Sequence, residues 1–241
     1  MLGLPDDITA LLFDLDGVLT PTAKIHFKAW KQTFDEFLKE RGGAFKEFTQ
    51  DDYNEYVDGM SRFDGVRTFL RSRGIELPDG AEDDPGSDGA PTIHGLGNRK
   101  NDLVLHLLKT DGVEPYEGSR RFVEAAREAG LARAVVSASA NCRPVLRSAG
   151  IEDLFDVIID GKVAEEQHLR GKPHADTYLA GARALGVDPS AGAVFEDATA
   201  GVQAGHDGHF GYVVGVDRVD HAAALRAHGA DVVVKDLADL L

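Results

Sequence analysis

A chain of 241 residues, 43% of them hydrophobic, has room for one domain of ordinary size and a smaller one, each with its own core. A formal charge of −15 repels nucleic acid and anionic lipid, so neither is expected as a partner. No apolar run approaches the ~18 residues of a membrane span, the opening MLGLPDDIT does not read as a signal peptide, and the single cysteine, Cys142, cannot make an internal disulfide; a cytoplasmic monomer is expected.

The first element is the apolar run Ile8 to Leu15 (ITALLFDL), which has the character of a buried strand of a parallel sheet. From Thr22 to Asp111 no convincing strand follows. Helical patterns cover Ala23 to Glu40, Asp51 to Val57, Asp64 to Arg73 and Gly95 to Lys109, and the acidic, Gly/Pro-rich stretch Pro78 to Pro91 reads as a mobile surface loop. Short apolar runs then return at Ala134 to Ser137, Val157 to Ile159, Ala193 to Phe195, Tyr212 to Val214 and Val232 to Val234. Helical segments alternate with them: Ser119 to Ala129, Arg143 to Ala149, Ala175 to Leu185, Thr199 to His206 and His221 to His228. This alternation predicts an α/β core with a doubly wound, Rossmann-like parallel sheet, residues 1–21 and 112–241, into which a helical domain, residues 22–111, is inserted.

Four places at predicted strand ends carry chemistry, and open α/β sheets bind ligands there. The first is Asp14-Leu15-Asp16-Gly17-Val18. Strand periodicity would send both carboxylates to one side, where Asp14 can act as nucleophile and metal ligand and Asp16 as general acid/base. The second, Val136 to Asn141 (VSASAN), offers hydroxyls and N–H groups at a helix start, suited to phosphate. The third is Lys172 in Gly171-Lys172-Pro173, and the fourth is the acidic pair Glu196-Asp197. Two more carboxylates there complete an all-oxygen site suited to Mg²⁺. Taken singly, these are equally a solvated Asp-Gly turn, a capped helix and a surface lysine. Cys142 reads as a buried or incidental thiol.

In order, DxDGV, Ser, Lys and Glu-Asp resemble the four motifs of the haloacid dehalogenase superfamily, across almost the whole chain. The resemblance implies a Mg²⁺-dependent phosphoryl-transfer enzyme. Asp14 would be the nucleophile, Asp16 the acid/base, and Ser137 and Lys172 the phosphate holders. The Mg²⁺ ligands would come from Asp14, the Asp16 carbonyl, Asp197 and, directly or through water, Glu196. The helical insert resembles that superfamily's cap domain. A dehalogenase proper has no use for the second Asp and the Glu-Asp pair, and a non-catalytic phosphate-reading module has no reason to keep the full set.

Within the superfamily, PTAKIHFKAW is similar to the cap of the β-phosphoglucomutases, with Thr22 at a hinge, His26 near Asp16 and Trp30 in the cap. Asp58-Gly59-Met60-Ser61-Arg62 resembles their loop for the distal phosphate or sugar, giving Gly59, Met60 and Arg62 as substrate-binding residues. Ala138, Ser139, Ala140 and Asn141 fall on the core side. Three positions depart from the pattern: Ala140 stands where the pattern has a lysine, Gly65 stands where it has a serine, and Lys100 matches the cap lysine loosely. The missing positive charge at Ala140 bears on the distal phosphate, and Arg143 is a candidate replacement. The expected reaction interconverts β-D-glucose 1-phosphate and glucose 6-phosphate; the alternative is a sugar-phosphate phosphatase that uses the same residues with water as acceptor.

Overall fold

Apolar, largely β-branched runs bounded by glycine and aspartate form the strands in the computed structural model, which describes residues 2–43, 46–85 and 91–241. In chain order the elements are β1 (Ala10–Phe13), α1 (Thr22–Arg41), α2 (Gln50–Tyr56), α3 (Arg62–Ser72), α4 (Ile93–Asp111), α5 (Glu117–Glu128), β2 (Ala132–Val136), α6 (Cys142–Ser148), β3 (Val157–Ile159), α7 (Gly161–Glu166), α8 (Asp176–Leu185), β4 (Gly192–Glu196), α9 (Thr199–Asp207), β5 (Tyr212–Val216), α10 (Ala222–Ala227) and β6 (Val232–Val234). The chain divides into two units, Met1–Thr22 with Val113–Leu241, and Ala23–Gly112. No helix among the described residues is long and apolar enough to cross a membrane.

The α/β unit is built on a six-stranded parallel sheet of order β3-β2-β1-β4-β5-β6. Leu12 of β1 is in register with Ala134 and Val194, so β1 lies at the centre, buried along its whole length. Successive side chains feed opposite faces. Leu12 joins Tyr178 of α8 and Val202 of α9 in one cluster, while Phe13 stacks on Phe195 at 4.5 Å and meets Phe122 of α5 edge-on at 6.2 Å. Burying each such side chain contributes roughly 1.5–3 kcal/mol. The order in which the chain adds strands reverses at β1, the switch point where α/β folds open a crevice at the strand C-termini.

Two differences from the predicted elements have physical causes. Strand β2 starts at Ala132 rather than Ala134, because the charge of the buried Arg133 is satisfied in place: Nε donates to the Leu154 carbonyl at 2.7 Å and Nη2 pairs with Asp156 at 2.9 Å. Helix α7 was not predicted; Asp160 caps it, accepting from the N–H groups of Lys162 (3.1 Å) and Val163 (2.9 Å). At the insertion point the outgoing and returning stretches of chain are tied together. The Tyr116 N–H donates to the Leu19 carbonyl at 2.9 Å, and the Ser119 hydroxyl donates to the Val18 carbonyl at 2.6 Å.

The helical unit has an aromatic core. Helix α1 supplies Phe27, Trp30, Phe34 and Phe37 at helical spacing. Trp30 stacks on Phe34 at 4.9 Å, and Phe34 lies 4.1 Å from Phe69 of α3. Thr49 and Asp52 form a capping box on α2, and Asp52 also pairs with Arg73 at 2.7 Å. The stretch expected as a mobile loop is tied down where it is described: Asn98 donates to the carbonyls of Glu82 and Asp84 at 2.9 Å, and Thr92 donates to Asp84 at 2.8 Å. Residues 86–90 of that stretch lie outside the described residues.

Candidate active site

Asp14 is the first residue beyond β1, its N–H held by the Phe195 carbonyl of β4 at 2.9 Å. Lys172, in the segment between α7 and α8, brings its ammonium to Asp14 Oδ1 (2.5 Å), Glu196 Oε1 (2.5 Å) and the Val136 carbonyl (3.1 Å). Those three acceptors match the three donors of an ammonium. Burial opposes the Lys172 charge, but Asp14 and Glu196 outweigh it and hold the ammonium above its ordinary range. Burial also pushes the Asp14 carboxyl up, with Glu196 and Asp16 adding to the effect and Lys172 drawing it back.

Glu196 ends β4 with no exposed surface, and Tyr178 of α8 donates to its Oε1 at 2.8 Å. The next residue, Asp197, is also buried. Carboxylate oxygens of Asp14, Glu196 and Asp197 all lie within 4.8 Å of one another. Three buried carboxylates and one ammonium leave surplus negative charge, and an all-oxygen donor set of this kind fits a hard divalent cation such as Mg²⁺. Gly17 makes the cluster possible: its φ is +94°, and a Cβ there would sit 1.7 Å from Asp197 Oδ2.

Asp16 is placed by a turn, which corrects the expectation from strand periodicity, because β1 ends at Phe13. Asp16 forms an isolated bridge with Thr20, and the Thr22 hydroxyl donates to its Oδ1 at 2.5 Å. The Thr20 and Thr22 hydroxyls are themselves 2.6 Å apart, so Asp16 ends a short chain of hydroxyls.

On the β2 side, Ser137 is buried and its Oγ accepts from the Ser139 N–H at 3.1 Å, which leaves its hydroxyl proton free to donate. Ser139 Oγ accepts from the Asn141 N–H at 3.2 Å, and the half-buried Ala138 and Ala140 complete the turn. Arg143, the candidate replacement for a lysine at position 140, lies 3.5 Å from Asp160 and 3.8 Å from Glu152, so it is engaged by carboxylates. Cys142 is buried, and burial pushes its thiol up, away from reactivity.

In the helical unit, the buried Lys100 lies 2.7 Å from His26 Nδ1 and 4.7 Å from the Trp30 ring centroid. An ammonium only donates, so Nδ1 accepts and His26 carries its hydrogen on Nε2. Trp30, expected among the substrate contacts, is a core residue that seats the Lys100 ammonium; Gly65 packs tightly against it, and a Cβ there would lie 3.3 Å from Trp30 Cζ2, closer than ordinary van der Waals contact. Gly59 turns the chain at φ +71°, Met60 is half-buried, and Arg62 opens α3 with its guanidinium 4.6 Å from the Phe63 ring centroid. Tyr178, Thr20, Arg218 and His221 also touch the site residues and carry no motif of their own in the sequence. The last two lie just after β5, where the strand-end rule applied to the other four motifs would have found them.

A family model described as haloacid dehalogenase-like hydrolase matches residues 8–209. The chain belongs to this family. Among haloacid dehalogenase-like relatives it is 54% identical to the β-phosphoglucomutase of Mycobacterium bovis, over 100% of this chain and 94% of that one. It is 29% identical to the β-phosphoglucomutase of Bacillus subtilis, over 96% and 91%. The crystal structure of a β-phosphoglucomutase from Clostridium difficile superposes with a TM-score of 0.75 at 26% identity, covering 97% of this chain and 93% of that one.

Proposed function

We propose that this protein is a β-phosphoglucomutase that moves a phosphoryl group between the 1- and 6-oxygens of β-D-glucose through an aspartyl-phosphate on Asp14. Full-length identity of 54% to a β-phosphoglucomutase supports the substrate. The observation that carries the chemistry is Asp14 Oδ1 at 2.5 Å from a Lys172 ammonium that is also bound to Glu196. An Asp14 carboxylate oxygen attacks phosphorus, the P–O bond to the sugar breaks, and Asp16 gives its proton to the departing oxygen. The 6-hydroxyl of the next β-glucose 1-phosphate attacks the aspartyl-phosphate and yields its proton to Asp16, forming a glucose 1,6-bisphosphate that turns over in the site so that Asp14 takes its 1-phosphoryl group and glucose 6-phosphate leaves. Thr22 holds Asp16 in place throughout. Lys172 neutralises a non-bridging oxygen, and the Ser137 hydroxyl with the Ala138 N–H orients the group. Mg²⁺, held by Asp14, the Asp16 carbonyl, Asp197 and Glu196, would when bound offset the charge between carboxylate and phosphoryl group.

In the helical unit we assign Lys100, His26 and Arg62 to the sugar and the second phosphate, and on the core side Ser139 and Asn141. With Ala140 uncharged and Arg143 engaged elsewhere, the second phosphate relies on Lys100 and Arg62. A cytoplasmic, monomeric enzyme with the helical unit as cap is part of the proposal. The test is incubation with β-glucose 1-phosphate, Mg²⁺ and a trace of glucose 1,6-bisphosphate, measuring glucose 6-phosphate against free phosphate. Glucose 6-phosphate without phosphate release is expected; stoichiometric phosphate release would make the enzyme a phosphatase, and neither product would overturn the substrate.

A further inference from the structure

The loop after β5 carries Asp217, Arg218 and His221, none of which has a place in the reaction described above. Arg218 Nε donates to the Gly17 carbonyl at 2.9 Å, in the turn that bears Asp14 and Asp16. Its guanidinium lies 3.8 Å from the Tyr116 ring centroid, and Nη1 donates to the Lys235 carbonyl at 2.9 Å and to Asp236 at 3.1 Å. His221 Nε2 lies 2.9 Å from the Asp197 carbonyl oxygen; a carbonyl only accepts, so Nε2 carries the hydrogen. The His221 N–H is in turn held by the buried Asp217 at 2.8 Å, whose other oxygen takes the Lys235 ammonium at 2.8 Å. One loop therefore grips the main chain of both turns whose side chains make the carboxylate cluster.

We propose that Arg218 and His221 are positioning residues for the divalent-cation site: by fixing the Gly17 and Asp197 carbonyls they set the separation of the two acidic turns before the cation arrives. The proposal rests on the reading of Asp14, Glu196 and Asp197 as cation ligands. Its physical basis is that like charges in a buried cluster repel, so turns left unbraced relax apart and the cation must then gather them. Partners one shell out from metal ligands typically carry about 10–100-fold in metal affinity.

The test uses Mn²⁺ alone, titrated into the metal-free full chain and followed by electron paramagnetic resonance, with thermal melts in chelator to verify folding. His221→Ala and Arg218→Met are each expected to weaken Mn²⁺ binding about 10–100-fold, while His221→Gln, which keeps an N–H donor, restores most of the affinity. A purely architectural loop would lower the melting temperature and leave Mn²⁺ binding unchanged, and that result overturns the proposal, as does equal weakening in His221→Ala and His221→Gln. The His221 pair decides the matter should Arg218→Met fail to fold. Asp197→Asn separates the two readings. Unchanged Mn²⁺ binding in Asp197→Asn removes the cation site and this proposal with it; lost binding there with unaltered loop variants overturns the loop's role alone.

Discussion

In the α/β unit the charged side chains are assembled by backbone topology, whereas in the helical unit they rest on aromatic packing. Asp14, Ser137 and the Glu196-Asp197 pair sit at the ends of three adjacent parallel strands, and register alone brings them to one edge. Lys100 and His26 meet because α1 and α4 share a core in which Trp30 lies against Phe34. The first arrangement tolerates changes in packing because hydrogen-bonded strands hold it. The second moves with the volume of the side chains beneath it.

The largest expected effect belongs to the first arrangement. Asp14→Asn keeps the sheet and removes the proposed nucleophile, so turnover is expected to fall on the order of 10⁴-fold or more, with a melting temperature close to that of the parent. Ordinary turnover by the folded variant would end Asp14's role. Lys172→Met comes next, because it leaves buried Asp14 and Glu196 without their ammonium. A stability loss of about 3–5 kcal/mol in urea denaturation is expected, alongside loss of activity. A smaller stability change would mean that the cluster protonates and relaxes. Trp30→Leu is the weakest of the three and the sharpest test of the contrast. It should cost about 1–3 kcal/mol as a cavity and raise KM for the sugar phosphate several-fold with little change in kcat. An unmoved KM would show that Lys100 holds its place without the indole beneath it.

The strand runs and the Asp14, Lys172 and Asp197 motifs were legible because parallel strands buried on both faces must be continuously apolar, and because their ends are where polar residues become conspicuous. Helix α1 was legible from its aromatic spacing. Tyr178 was not, since in YLAGARAL its ring reads as core and nothing local announces that the hydroxyl reaches Glu196 eighteen residues on. Arg133 hid the start of β2 because its partners, Leu154 and Asp156, come from a turn much later in the chain. Asp16 was placed by strand alternation, yet β1 ends at Phe13 and a turn at Gly17 with the Thr22 hydroxyl sets its position instead. Lys100 was matched loosely for a similar reason, because its neighbours are set by the packing of two helices distant in sequence.

The link between the Tyr116 N–H and the Leu19 carbonyl, with Ser119 reaching Val18 beside it, closes the sheet-bearing unit on itself. Everything strung between those two anchor points is, for the sheet, a detour that begins and ends at one spot. Evolution can lengthen, shorten or exchange that detour without renegotiating the strand order. In the function proposed above that module would be the part that selects the sugar, and exchanging it would leave the phosphoryl-transfer residues of the sheet unit in place.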